Sequence, residues 1–206
     1  MAHSIDLASA KTYLLEIIPM AGEILRTYFR SGKFTTHAKQ GVDFATQADD
    51  EIDAFLRKKI EEKYPNSQFL TEETAPKDYS NLKDSTDLWV IDPIDGTANF
   101  ARGDPNFAIS VALVSRGVPR LGVVYLPVSQ DVYIAQDDMP HATLNNTPIH
   151  VSRINNLGEA TVACDWSWNM EKREQMVGLL GKFHKEVRQI KCMGSAAADI
   201  AKLAKG

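Results

Sequence analysis

Long apolar runs, basic surplus, cysteine and internal repetition are all scarce in this chain, and each scarcity removes a class of function. No stretch approaches the roughly 18–20 consecutive apolar residues that a bilayer-spanning helix needs. The N-terminus Met1-Ala2-His3-Ser4-Ile5-Asp6 lacks the basic-then-apolar layout of a signal peptide. Lys and Arg number 23 against 27 Asp and Glu, a formal charge of −4, and no basic cluster offsets it, which argues against a nucleic-acid partner. The cysteines, Cys164 and Cys192, stand far apart without paired spacing; they read as small buried hydrophobes, not as a disulfide framework or a zinc site. The histidines His3, His37, His141, His150 and His184 never fall at ligand spacing and read as structural or exposed. Repeats and low-complexity tracts are missing. What remains is an ordinary globular composition, 44% apolar and 24% charged over 206 residues, read as cytoplasmic and free of the membrane.

Against that plain background one stretch stands out: Trp89-Val90-Ile91-Asp92-Pro93-Ile94-Asp95-Gly96-Thr97-Ala98-Asn99-Phe100. Leu88 to Ile91 is short, β-branched and aromatic, and predicts a buried strand. Pro93, without an N–H, is expected to stop it, leaving Asp92 at the strand end and Asp95 one turn further on. Gly96 and Thr97 offer backbone donors and a hydroxyl, as an anion-holding nest or helix start would. Two carboxylates beside an anion cradle suit a hard divalent cation brought to a phosphate.

The flanking chain supplies more acids at element ends. Residues 6–30 carry apolar positions at helical period, with a bend expected after Ile18 because of Pro19, and Ser31-Gly32 closes that helix. Lys39 to Ala45 reads as a short strand or an ordered loop. Thr46 and Asp49 resemble a capping box that opens a helix over about 47–63; alone, Asp49 would be only a helix-terminal acid. Gln68 to Thr71 is a short strand that delivers Glu72-Glu73, and 75–87 reads as an exposed loop. Residues 107–114, 121–125 and 131–135 form an antiparallel meander, followed by a hairpin turn at 144–148. The tripeptide Arg102-Gly103-Asp104 is chance. From about residue 152 strand and helix alternate, strands at 161–164 and 187–190 and helices at 171–185 and 194–205, which implies a second, more nearly parallel sheet. The parts are therefore 1–151, with the antiparallel sheet and most site residues, and 152–206.

Glu72-Glu73, Asp92-Pro93-Ile94-Asp95-Gly96-Thr97 and Gly194-Ser195-Ala196-Ala197 occur in the order and rough spacing of the inositol monophosphatase family, and Lys39 with Thr46-Gln47-Ala48-Asp49 matches a fourth motif. The chain resembles that family over nearly its whole length. The resemblance implies an α/β fold of α-β-α-β-α layers, with an antiparallel N-terminal sheet and a mixed, largely parallel C-terminal one. It implies Mg²⁺ as cofactor, two or three ions with Mn²⁺ as a substitute, lithium inhibition and a homodimer. By match, Glu72, Asp92, the Ile94 carbonyl and Asp95 bind metal; Asp95, Gly96, Thr97, Ser195 and Ala196 bind substrate; Asp49, Thr97 and Glu72 are catalytic; Lys39 and Glu73 support the metal shell. The implied reaction is hydrolysis of inositol 1-phosphate by in-line attack of a metal-activated water. Relatives acting on histidinol phosphate, fructose 1,6-bisphosphate or a 3′-phosphoadenosine nucleotide, or a non-catalytic metal- or phosphosugar-binding form, are the alternatives.

The family pattern runs on beyond the position of Gly206, into a further strand, an acidic ligand near a Trp-Asp segment and a substrate-binding acid. The expectation is an incomplete C-terminal sheet and a second metal short of one carboxylate, in a piece of a longer enzyme or a natural short form. The 206-residue polypeptide is accordingly expected to be poorly stable and weakly active.

Overall fold

The protein is described by a computed structural model that covers residues 5–39, 44–76, 78–167 and 169–206. Helix α1 (Leu7–Ser31) starts at Asp6, whose carboxylate accepts from the Ser9 N–H at 2.7 Å, and ends at Gly32, whose φ of 61° fits a glycine C-cap. Pro19 does not divide it. The apolar face on either side of the proline, Leu14, Ile17 and Ile18 before it and Ala21 and Leu25 after it, is buried in one core, and that packing carries the helix across.

Strands β1 (Thr36–Ala38) and β2 (Phe44–Thr46) pair antiparallel; of the segment 39–45, residues 40–43 lie outside the described residues. Helix α2 (Gln47–Lys63) begins at the expected capping box: the Thr46 N–H donates to Asp49 Oδ2 at 2.7 Å, and Thr46 Oγ1 accepts from the Ala48 N–H at 3.2 Å. Its stripe Ala48, Ile52, Leu56 and Ile60 is fully buried against α1 and the main sheet.

That sheet has seven strands in sequence order: β3 (Gln68–Thr71), β4 (Leu88–Asp95), β5 (Ala108–Ser115), β6 (Val118–Leu126), β7 (Asp131–Gln136), β8 (Thr143–Leu144) and β9 (Thr147–Pro148). All neighbours are antiparallel except β3 and β4, which run parallel with Thr71 opposite Ile91. The alternation of strand side chains separates the two faces. Ile109, Val111, Leu113, Leu121, Val123 and Tyr125 meet α1 and α2, whereas Ala108, Leu126 and Tyr133 point the other way.

One expectation fails inside β4. Pro93 does not stop the strand, which continues to Asp95. The register slips there, Asp92 facing Ser110 and Asp95 facing Ala108, so β4 holds one more residue than β5 between those pairs. A bulge accommodates a residue without an N–H, and that is where proline is tolerated within a sheet. Asp92 and Asp95 thus both belong to the strand. Helix α3 (Thr97–Arg102) follows at once from Gly96.

In the C-terminal part, β10 (Thr161–Cys164) and β11 (Gln189–Cys192) pair in parallel, joined through α4 (Met170–Phe183). Helix α5 (Ala196–Lys205) buries Ala198 and Ala201 on the second face of the main sheet, and leaves Ile200 and Leu203 each 67% exposed. Of the expected α4 face, Met176, Leu180 and Phe183 are half-buried and Leu179 is exposed. The cysteines are not buried as expected: Cys164 is half-buried and Cys192 exposed, because both end strands of this small sheet. Among the described residues no helix is long and apolar enough to cross a membrane.

Candidate active site

Five elements bring side chains to the end of β4. The parallel pairing of β3 with β4 continues one residue beyond β3, where the Glu72 N–H donates to the Ile91 carbonyl at 3.0 Å, so Glu72 emerges beside Asp92. The two carboxyls are neighbours, and the charge of Glu72 works against ionising Asp92. Asp92 Oδ1 is buried with no partner. Burial first, then the charges of Glu72 and Asp95, pushes Asp92 up to about 9.

Asp95 is held by α5. Its Oδ2 accepts from Ser195 Oγ and, at 2.8 Å, from the Ala197 N–H. Burial raises its pKa and these donors pull against that. Ser195 is fully buried and also caps α5, its Oγ accepting from the Ala198 N–H at 3.3 Å. Its hydroxyl is therefore engaged with Asp95, and Ala196 follows it as the first residue of α5.

Asp49, fully buried at the start of α2, uses Oδ2 for the Thr46 cap and Oδ1 for Thr97, whose Oγ1 donates to it at 3.1 Å. The same hydroxyl lies 3.0 Å from the Ile94 carbonyl. Burial raises Asp49 against the hydrogen bonds from Thr46 and Thr97. Lys39 bridges the glutamates, its Nζ 2.8 Å from Glu72 Oε1 and 2.7 Å from Glu73 Oε1. Burial opposes the ammonium, but the two hydrogen-bonded carboxylates outweigh it and hold Lys39 above its ordinary range. Burial pushes Glu73 up in spite of Lys39; with the lysine so firmly protonated at 2.7 Å, the pair stays charged.

A cavity of about 300 Å³ opens over these groups, lined by Glu72, Asp92, Ile94, Asp95, Gly96 and Thr97 together with Phe44, Ala98, Asp165, Trp166 and Gly194. A larger groove of about 440 Å³, between Ile5, Thr86, Arg116 and Arg120, contains none of the expected residues. Gly96 has φ 96°, and a Cβ there would sit 3.0 Å from the Gly194 carbonyl and 3.1 Å from Ser195 Cβ. Both backbone angle and space demand glycine. The turn before α5 is clamped by two asparagines: Asn99 Nδ2 donates to the Met193 carbonyl at 2.7 Å and Asn106 Nδ2 to the same oxygen at 2.8 Å.

Glu72, Asp92, Asp95 and Asp165 make the cavity acidic, so an anionic phosphate enters only with compensating positive charge. The orphaned, buried Asp92 Oδ1 among the Glu72 and Asp95 carboxyls fits a divalent cation, whose charge would relieve the repulsion that raises Asp92. A different trio, His37, Asp50 and Glu73, has ligand atoms within 4.8 Å of one another. Sequence spacing gave no hint of it, since β1 alone carries His37 there. Glu73 is already committed to Lys39.

Sequence reasoning missed Asp165, Trp166, Asn99 and Asn106. Asp165 follows a strand of a parallel pair, and the carboxyl end of such strands is where α/β proteins place ligands, which is the signal available for it. Asn99 lies inside the stretch singled out, but its partner at Met193 is a tertiary contact.

The sequence pattern described as the inositol monophosphatase family matches residues 7–206. An inositol monophosphatase of Mesembryanthemum crystallinum is 30% identical over 100% of this chain and 76% of its own length. The Nus factor SuhB of Vibrio cholerae is 32% identical, over 88% of this chain and 67% of its own. Among solved structures, the extragenic suppressor protein suhB of Bartonella henselae superposes with a TM-score of 0.88 at 26% identity, covering 96% of this chain and 75% of that one.

Proposed function

The chain belongs to the inositol monophosphatase family, and from that premise we propose that it hydrolyses a small phosphorylated alcohol, inositol 1-phosphate first, with Mg²⁺ as its cofactor. The observation that carries this reading is the buried, unpartnered Asp92 Oδ1 beside the Thr97–Asp49 hydrogen bond. Glu72, Asp92, the Ile94 carbonyl and Asp95 would hold the ions, two or three in number with Mn²⁺ as a substitute. Bound there, Mg²⁺ supplies a lowered pKa for water and neutralises charge on the attacking and leaving oxygens.

The chain's own residues do the rest. Thr97 Oγ1 takes a proton from the attacking water while passing its own to Asp49 Oδ1, 3.1 Å away. Burial suits Asp49 to this task, because a raised pKa makes it a stronger base than an exposed carboxylate. The first N–H groups of α3, free of intrahelical partners by helix geometry, face the phosphoryl oxygens from Gly96 and Thr97. No nucleophilic side chain is required, since phosphoryl transfer is mostly positioning and charge stabilisation. Lys39 keeps Glu72 and Glu73 in place. Ala196 offers its backbone to the substrate alcohol, and Ser195 acts on it through Asp95. Lithium inhibition and a homodimer belong to the same reading.

The test is phosphate release from inositol 1-phosphate, histidinol phosphate, fructose 1,6-bisphosphate and 3′-phosphoadenosine nucleotides, with Mg²⁺, with Mg²⁺ and Li⁺, and with chelator. Turnover of inositol 1-phosphate that chelator abolishes and lithium lowers is expected. Calorimetric Mg²⁺ binding without hydrolysis of any of these esters would sink the proposal in favour of a non-catalytic binder.

A further inference from the structure

Cys164 and Cys192 lie directly opposite each other in the parallel pair β10–β11, with their sulfur atoms 2.9 Å apart. Adjacent strands stand about 4.8 Å apart, inside the Cα separation of roughly 4.4–6.8 Å that a disulfide spans. The register and the sulfur separation together place the pair within reach of a disulfide. Among the described residues no carboxylate or imidazole joins the two sulfurs at metal-ligand spacing, which favours oxidation over metal binding. The position is also adjacent to the chemistry. Cys164 is followed at once by Asp165 and Trp166, and Cys192 stands two residues before Gly194; all three of those residues line the cavity.

We propose that Cys164 and Cys192 are a reversible thiol–disulfide pair, oxidised by low-molecular-weight disulfides, that fastens together the two strand ends on the outer wall of the cavity. Cys192, the exposed partner, loses its proton to solvent and attacks one sulfur of the oxidant, releasing one equivalent of thiolate and leaving a mixed disulfide. Cys164 then gives up its proton, attacks the Cys192 sulfur and displaces the second thiolate. The two cysteines are together oxidised by two electrons and the oxidant is reduced to two thiols. The order follows from access, and from burial that, together with the Cys192 thiol beside it, pushes Cys164 up to about 11 and keeps it protonated until its neighbour has reacted. The link closes the crossover through α4.

The chemistry is tested on the full chain, independently of any phosphatase reading, by titration with oxidised glutathione followed by alkylation and mass spectrometry. The expected product has lost the mass of two hydrogen atoms, yields a Cys164–Cys192 crosslinked peptide and recovers both thiols on reduction. Cys164→Ser should instead retain a glutathione adduct on Cys192, and Cys192→Ser should resist modification. Unreacted thiols, a lasting adduct in the unaltered chain or crosslinked dimers would each overturn the proposal. Hydrogen exchange tests the fastening: amides in 161–166 and 189–195 should exchange about tenfold more slowly after oxidation. Unchanged exchange would refute that part. Any effect on turnover rests on the hydrolytic reading, and a failure there leaves the mass and exchange results standing.

Discussion

At the scale of single residues the site is governed by which polar atoms are satisfied. Thr97 Oγ1 is placed by two acceptors, Asp49 Oδ1 and the Ile94 carbonyl, and of these only the carboxylate is basic enough to take its proton. Thr97→Ala is expected to lower kcat by about 10²–10⁴-fold, while Thr97→Ser keeps most of the activity; phosphate release checks both. A Thr97→Ala chain as active as the parent would remove the Thr–Asp relay from the mechanism. Asp92 gives a pH signature to the metal-free chain. Its ordinary value is 3.8 and its folded value about 9, so between these the folded state holds a proton that the unfolded state has lost. The stabilisation is fully present below pH 3.8 and is lost as pH rises through about 9. Mg²⁺ binding to the ionised form compensates, so the Mg²⁺-induced rise in Tm should grow with pH across that window. Asp92→Asn should flatten the trend; thermal melts with and without Mg²⁺ decide.

At the scale of elements, the junctions matter more than the spans. Gly96 links β4 to α3 at φ 96° while the α5 turn presses on it, so Gly96→Ala should cost about 1–3 kcal/mol and disturb the cavity together with the fold. Denaturant melts report the first effect and phosphate release the second. Helix α1 meets β6 with comparable tightness. Gly22 lies against the Tyr125 ring, and beside it Arg26 Nη1 donates to the Tyr125 hydroxyl at 2.9 Å and to the Pro127 carbonyl at 3.0 Å. Gly22→Ala is expected to destabilise by about 1–3 kcal/mol through overpacking with little change in KM, because neither Gly22 nor Tyr125 lines the cavity. A wild-type melting curve would show that α1 can retreat. Helix α2 was readable in the sequence as 47–63, since a capping box and an apolar stripe are local signals. β4 was misread because a proline is a local stop signal, whereas the bulge that admits it depends on the partner β5.

At the scale of the whole molecule, Glu72 after β3, Asp92 and Asp95 on β4 and Asp165 after β10 line one cavity, and the repulsion among them opposes folding, which a bound cation would relieve. Chelation should therefore lower Tm, and saturation at 100 times Kd should restore about 2.7 kcal/mol for one site. A Tm indifferent to Mg²⁺ would argue that the carboxylates do not hold it. The exposed Ile200 and Leu203 on α5 show that this helix covers the main sheet with its small residues, Ala198 and Ala201, and turns larger ones outward.

The sequence by itself determined the α/β class, most element spans, the family and the types of residue at the site, because periodicity, caps and the Asp92-Pro93-Ile94-Asp95-Gly96-Thr97 motif are contiguous patterns. Only the tertiary structure decided that Glu72 stands beside Asp92, since that depends on β3 pairing parallel with β4 rather than on the residues between them. It likewise decided that Ser195 faces Asp95, that Asp165 joins the cavity wall, and that two distant cysteines are neighbours in a ladder. Each of these is a contact between segments remote in sequence, fixed by strand register and by burial across the sheet, and neither is written in the spacing of residues along the chain.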